Sequence, residues 1–255
     1  MRNEPLVGYL LHQRPYQEKR ALYYLFSKQH GVIHGIGKKG APLFEPLQLF
    51  ATGKRDLKTF SQINIVPWDS YVDSAVQLDS SEPSARPPQR YQQISGQQQY
   101  AALYLNEILW KLLPTEDAAP ILWQHYQNSI LELKQPLAAD ALRLCLRRFE
   151  QHLFKQLGFE LTLTHDNALN AIDPTAQYQF LADMGLVRVD QASTSTLTSL
   201  QTLFNGTALI DIATLGITQR TLKTGSRLHR QLIDHLLDYQ PLQSRLLWQQ
   251  QQRYQ

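Results

Sequence analysis

The sequence predicts an α+β protein in which an N-terminal five-stranded β-barrel is followed by an α-helical domain. Three observations predict this. Short runs rich in Tyr, Phe, Val, Ile and Leu alternate with turn-forming residues as far as Ile65. A Pro-, Ser- and Gln-rich stretch follows from Asp79 to Gln99, and beyond it apolar side chains recur every three or four residues. With 255 residues, 43% of them hydrophobic, the chain can bury a sizeable core and hold two modest domains. We place the barrel at residues 1–78, a connector at 79–99 and the helical domain at 100–255.

Five strands are expected, over Leu6–His12, Tyr23–Ser27, Val32–Ile36, Pro46–Thr52 and Lys58–Ile65. Gln29-His30-Gly31 suits a tight hairpin, Gly37 to Pro42 breaks regular structure, and Thr52 to Asp56 makes a second turn. Five short strands with basic turns match a barrel of the oligonucleotide-binding (OB-fold) kind.

The first helical run carries Leu105, Ile108, Leu109 and Leu112. The second opens at Pro120, where a first helical turn tolerates proline, carries Ile121, Leu122, His125 and Tyr126, and closes before Pro136. In the third, Leu142, Leu146, Phe149, Leu153 and Leu157 form one stripe, and Gly158 stands where a helix C-terminus takes glycine. A last long helix is expected from a Thr218 cap to about Tyr239, weakened by Gly225 and carrying Arg220, Lys223, Arg227 and Arg230. The Gln-rich end, Gln249 to Gln252, reads as a frayed terminus.

Charge is unevenly placed. Met1 to Phe60 holds ten basic against four acidic residues, Ser61 to Leu142 four against nine, and Arg143 to Gln255 eleven against nine, behind a whole-chain net of +3. A basic barrel suits a phosphate polymer. Its candidate contacts are Arg14, Tyr16, Lys19, Arg20, Lys38, Lys39, Lys54, Arg55 and Lys58, mostly at loops or strand ends, where cations meet phosphates and exposed rings accept stacked bases. The competing reading of such lysines is solubility.

Several classes of chemistry are disfavoured. The single cysteine, Cys145, allows no intramolecular disulfide and no thiolate cluster for zinc, which fits a reducing compartment. No apolar run approaches the roughly 18 residues that span a bilayer, so a cytoplasmic protein without a membrane partner is expected. Gly35 to Gly40 (GIGKKG) fits the dinucleotide pattern G-x-G-x-x-G, but Pro42 and Pro46 follow where that motif needs a helix. It reads instead as a flexible basic loop whose glycines admit phosphates. His30 and His34 flank a turn and a strand without ligating geometry, and no nucleophile motif is present. No metal, no cofactor and no enzymatic activity are expected.

Gly8 to Glu18 (GYLLHQRPYQE), Leu25-Phe26-Ser27 with His30-Gly31, and Gly53 to Thr59 (GKRDLKT) resemble the bacterial recombination mediator family RecO. The resemblance continues through Leu103 to Leu109 (LYLNEIL), Leu146 to Glu150 (LRRFE), Leu157-Gly158-Phe159 and Pro241 to Arg245 (PLQSR). It implies an OB-fold barrel before a helical domain, and binding of single- and double-stranded DNA with annealing of complementary strands. It also implies cooperation with RecR in placing RecA on strands coated by the single-stranded DNA-binding protein (SSB), in the bacterial cytoplasm and on its nucleoid.

Two departures qualify the likeness. The family's long basic loop is cut here to Gly37-Lys38-Lys39-Gly40-Ala41, and Thr164-His165-Asp166-Asn167 stands where some members place zinc-binding cysteines. The zinc-less type implies that Arg143, Arg147 and Arg148 receive the acidic, Phe-ending tail of SSB; the alternative for Arg147 is a pair with Glu150. The stripe from Arg220 to Arg230 could extend the DNA path or meet RecR. Two other function classes stay open: an interaction scaffold with weakened DNA binding, and an enzyme using GIGKKG for a nucleotide phosphate.

Overall fold

The computed structural model describes residues 1–66, 93–189 and 202–253. Most of the expected connector lies outside the described residues. Strands β1 (Glu4–Gln17), β2 (Arg20–Ser27), β3 (Gly31–Lys38), β4 (Pro46–Thr52) and β5 (Leu57–Ile65) close a barrel in the order β1-β2-β3-β5-β4. All neighbours are antiparallel except β3 and β5. Strand alternation sends Leu6, Leu10, Tyr23, Leu25, Ile33, Leu47, Leu49 and Phe60 into one buried cluster. All five expected strands form, several of them longer than the apolar runs alone indicate.

The GIGKKG segment is not the flexible loop its composition suggests. Gly35 and Gly37 lie within β3 and face the barrel interior, where a Cβ would stand 2.5 Å from the Phe60 ring and 2.9 Å from Ile63. They are glycines because those side chains fill the space. Only Gly40, at φ +108°, is open loop backbone.

Helices α1 (Gly96–Leu112), α2 (Pro120–Leu133) and α6 (Gln243–Arg253) belong to the same compact unit as the barrel, Met1–Leu137 with Leu242–Gln255. A bulge in β1 decides how they attach. Register slips between Leu10 and His12, so Tyr9 opposite Phe26 and His12 opposite Tyr24 both point outward. The side-chain amide of Asn106 on α1 donates to the carbonyls of Leu10 and Leu11 at 3.2 and 3.1 Å, and the Tyr126 hydroxyl donates to Asn106 at 2.6 Å. Tyr126 also packs edge-on against Tyr9 and Phe26. Glu107, next to Asn106 on α1, accepts from the Gln243 and Ser244 N–H groups and the Ser244 hydroxyl at 2.8–2.9 Å, holding the start of α6. The Gln-rich end is therefore an anchored helix rather than a frayed tail, at least to Arg253.

The second unit, Ala138–Pro241, holds α3 (Ala139–Leu157), a sheet in the order β7-β6-β8, α4 (Gly206–Leu215) and α5 (Leu222–Leu236). The units thus part at Leu137 and Pro241, away from the compositional boundary near residue 100. Helix α3 ends at Gly158 in the left-handed conformation, φ 79°. The sheet, β6 (Gln177–Leu181), β7 (Gly185–Val189) and β8 (Leu203–Asn205), is an addition to the expected all-helical domain. The last expected helix starts later than Thr218, because the Thr221 hydroxyl accepts from Thr218 N–H and donates to Gly216 O, closing a turn before α5. Among the described residues no helix is long and apolar enough to cross a membrane.

Candidate nucleic-acid interface

Strand geometry sorts the sequence-predicted DNA contacts into two groups and one outlier. The β1–β2 hairpin brings Lys19 and Arg20 to the end of β3, where Arg20 stands opposite Lys38. Lys39 N–H donates to Lys19 O at 3.1 Å and the Lys39 ammonium to Glu18 O at 2.9 Å, fixing this tip. The interior Tyr23 hydroxyl donates to Lys38 O at 2.6 Å, holding the strand end from inside. Lys19, Arg20, Lys38 and Lys39 are all exposed, and among the described residues none pairs with a carboxylate. Like charges facing each other across strands destabilise a sheet, so the Arg20–Lys38 pair is costly until an anion reaches it. Arg14 and Tyr16 lie along the same end of β1, exposed.

Lys54 and Arg55 form the other group. Their turn is tied to the opposite end of β1, since Gly53 N–H donates to Met1 O at 3.1 Å and the Met1 ammonium donates to Gly53 O at 3.0 Å. Lys58 is the outlier: it is 4% exposed, donates to Arg55 O at 2.7 Å and pairs with Glu116 at 2.5 Å. Its ammonium holds the α1–α2 loop against the barrel, so it is a structural cation rather than a surface one.

The outer face of β2 and β3 grades from buried to exposed along the register. Phe26 opposite Val32 is buried, Tyr24 opposite His34 and Leu22 opposite Ile36 are half-buried, and Arg20 opposite Lys38 is exposed. Rings concentrate at the middle step. Tyr24 lies 4.4 Å from His34, and Trp110 of α1 stacks on His12 at 5.1 Å and 16°. The Arg14 guanidinium lies 5.6 Å from the Tyr24 centroid and 5.9 Å from that of Trp110. Burial lowers the pKa of His34; burial and Arg14 lower that of His12, against the opposing pull of Glu107. Sequence reading missed Tyr24 and Trp110. A signal existed in Ala21 to Phe26 (ALYYLF), which is apolar on both faces and so announces a covered outer surface.

In the second unit the three arginines point to different environments. Arg143 is exposed beside Asp140 at 3.4 Å, and Arg148 is exposed. The Arg147 side chain is only 12% exposed: it pairs with the fully buried Glu150 at 2.7 Å and approaches Ser226 O at 3.5 Å. Glu150 meets His229 Nδ1 at 2.8 Å, joining α3 to α5. His229 also lines a cavity of about 490 Å³ with Phe154, Leu161, Ile212, Ile217 and Leu228. On α5, Lys223, Arg227 and Arg230 are exposed, while Arg220 precedes the helix and pairs with Asp211 at 3.2 Å.

At the cysteine-less position, Asp166 organises its loop through backbone hydrogen bonds. Its carboxylate accepts from the Ala168 and Asn170 N–H groups at 3.0 and 2.9 Å. Among the described residues no three His, Cys, Asp or Glu side chains form a metal-holding group.

Comparison with known proteins agrees with this architecture. The family described as Recombination protein O C terminal matches residues 95–246. A DNA repair protein RecO from Pseudomonas paraeruginosa is 34% identical over 94% of this chain and 92% of its own length. The chain belongs to the RecO family. Further relatives of the same name are 32% identical in Pseudomonas aeruginosa, over 94% of this chain and 92% of the relative, and 27% in Pseudoalteromonas atlantica, over 98% and 96%. The family places the protein in DNA repair. The quoted motif residues take physical roles in this light: Asn106 closes the β1 bulge, Glu107 docks α6, and Glu150 ties α3 to α5.

Proposed function

We propose that this RecO-family chain is a non-enzymatic mediator that binds single- and double-stranded DNA through its barrel and anneals complementary strands. With RecR it helps load RecA onto SSB-coated single strands. The observation that carries the DNA-binding step is the tip of Lys19, Arg20, Lys38 and Lys39, four exposed cations held together by backbone hydrogen bonds with no carboxylate partner among the described residues. Such a tip neutralises phosphates on approaching strands and lowers their mutual repulsion. Lys54 and Arg55, at the far end of β1, offer a second contact, so one barrel can meet more than one stretch of backbone. The family likeness supports the partners SSB, RecR and RecA, and a cytoplasmic setting.

For the SSB tail, the exposed Arg143 and Arg148 supply charge, and the apolar cavity at Phe154 and Leu228 suits a phenyl ring. Arg147 acts by holding Glu150 rather than as a free fork. Replacing Arg143 and Arg148 by Glu weakens an SSB-tail peptide in titration calorimetry while naked-DNA affinity holds; equal peptide affinity removes these arginines from the site.

The test of the whole reading is ATP-free annealing of complementary oligonucleotides precoated with SSB, followed by fluorescence. Acceleration is expected. An unchanged rate with the coat intact, alongside SSB or RecR binding, leaves the scaffold reading in its place.

A further inference from the structure

We propose that His12, Tyr24, His34 and Trp110, with Arg14 against them, form a stacking platform for unpaired nucleobases of a single strand. The proposal rests on the barrel's nucleic-acid reading and adds to it a base-sensitive contact distinct from the phosphate-binding tip. These rings lie outside the buried cluster of the barrel interior, which takes only Tyr23 and Phe60 as aromatics. The helices also hold the barrel by other contacts: Asn106 of α1 binds the β1 bulge, and Tyr126 of α2 bonds Asn106 and packs on Tyr9 and Phe26.

What remains is a half-buried patch of four rings, linked by centroid distances of 4.4, 5.1 and 5.4 Å. It lies two register steps along β2 from the exposed Arg20–Lys38 pair, with Leu22 and Ile36 between. A strand whose phosphates reach that tip has its bases over the apolar step and the rings. Arg14 contributes a planar cation for further stacking. Duplex DNA shows no open base faces along its length, so the platform favours single strands.

The test uses the full chain and two labelled probes of equal length, an oligothymidylate and an abasic strand with the same phosphates, read by anisotropy at several salt concentrations. The wild type binds the base-bearing strand more tightly. Trp110→Leu and Tyr24→Leu each weaken that strand by about 5- to 150-fold, the range for losing one stacked base, and leave abasic affinity and salt slope unchanged. Trp110→Phe, which keeps a ring, restores most of the loss, and melting temperatures establish that the variants are folded. Should the wild type bind both probes equally, or should folded Trp110→Leu and Tyr24→Leu bind oligothymidylate as the wild type does, the platform is refuted while the basic tip stands. Absence of binding to either probe at low salt refutes both.

Discussion

Replacing Lys19, Arg20, Lys38 and Lys39 together by Gln removes the exposed cationic tip while sparing every interior side chain of the barrel. Each neutralised phosphate contributes roughly 0.7 to the salt slope on single strands, so four contacts carry a slope of about 2.8. Between about 50 mM and 200 mM salt a slope of that size is worth close to a 50-fold change in affinity. The wild type should therefore lose about 50-fold more affinity across that range than the variant does. Anisotropy of a labelled oligothymidylate at several salt concentrations measures both slopes. The matched control, Lys54→Gln with Arg55→Gln, removes two cations at the other end of β1, with an expected slope change of about 1.4. A quadruple variant that keeps the wild-type slope and affinity would refute the tip as a phosphate site, whatever the control shows. A destabilised barrel is not expected, because removing the Arg20–Lys38 repulsion relieves strain in the ladder.

Three further outcomes follow from particular residues. Burial raises the pKa of Glu107, but hydrogen bonds from Ser244, Gln243 and Lys111 outweigh it and hold the carboxyl below its ordinary 4.5. Its contribution is thus complete above that pH and lost as pH falls through the lowered value; Glu107→Ala costs about 2–3 kcal/mol and should free α6, read by hydrogen exchange over residues 243–253. For His12 and His34, whose pKa values are lowered, acidification adds charge beside the DNA face, so DNA affinity should rise below their folded values and the rise should vanish in the His12→Gln, His34→Gln variant. Folding stability moves the other way, since the unfolded chain takes these protons first, near the ordinary 6.5. Asp166→Ala leaves two loop N–H groups without their acceptor and should lower stability by about 1–3 kcal/mol in denaturant titration, with Asp166→Asn recovering part of it.

The sequence by itself determined the barrel strands, the turns at Gln29 to Gly31 and Thr52 to Asp56, the first three helices and the excess of positive charge at the N-terminal end. These are local properties: alternation, periodicity of three and four, and the placement of Gly and Pro act within a few residues. The order of quoted motifs also carried the family resemblance. Only the tertiary structure decided which cations reach solvent. Lys58 and Lys54 look alike in sequence, yet the α1–α2 loop brings Glu116 over one and leaves the other exposed. Arg147 likewise could be free or paired until α5 set His229 beside Glu150. The β1 bulge explains the rest of the difference: one extra residue reverses the faces of His12 and Arg14, and Asn106, far along the chain, stabilises the carbonyls it displaces. A contact between residues so distant leaves no periodic mark in either segment, so the ring cluster at Trp110 became visible only once α1 lay against the barrel.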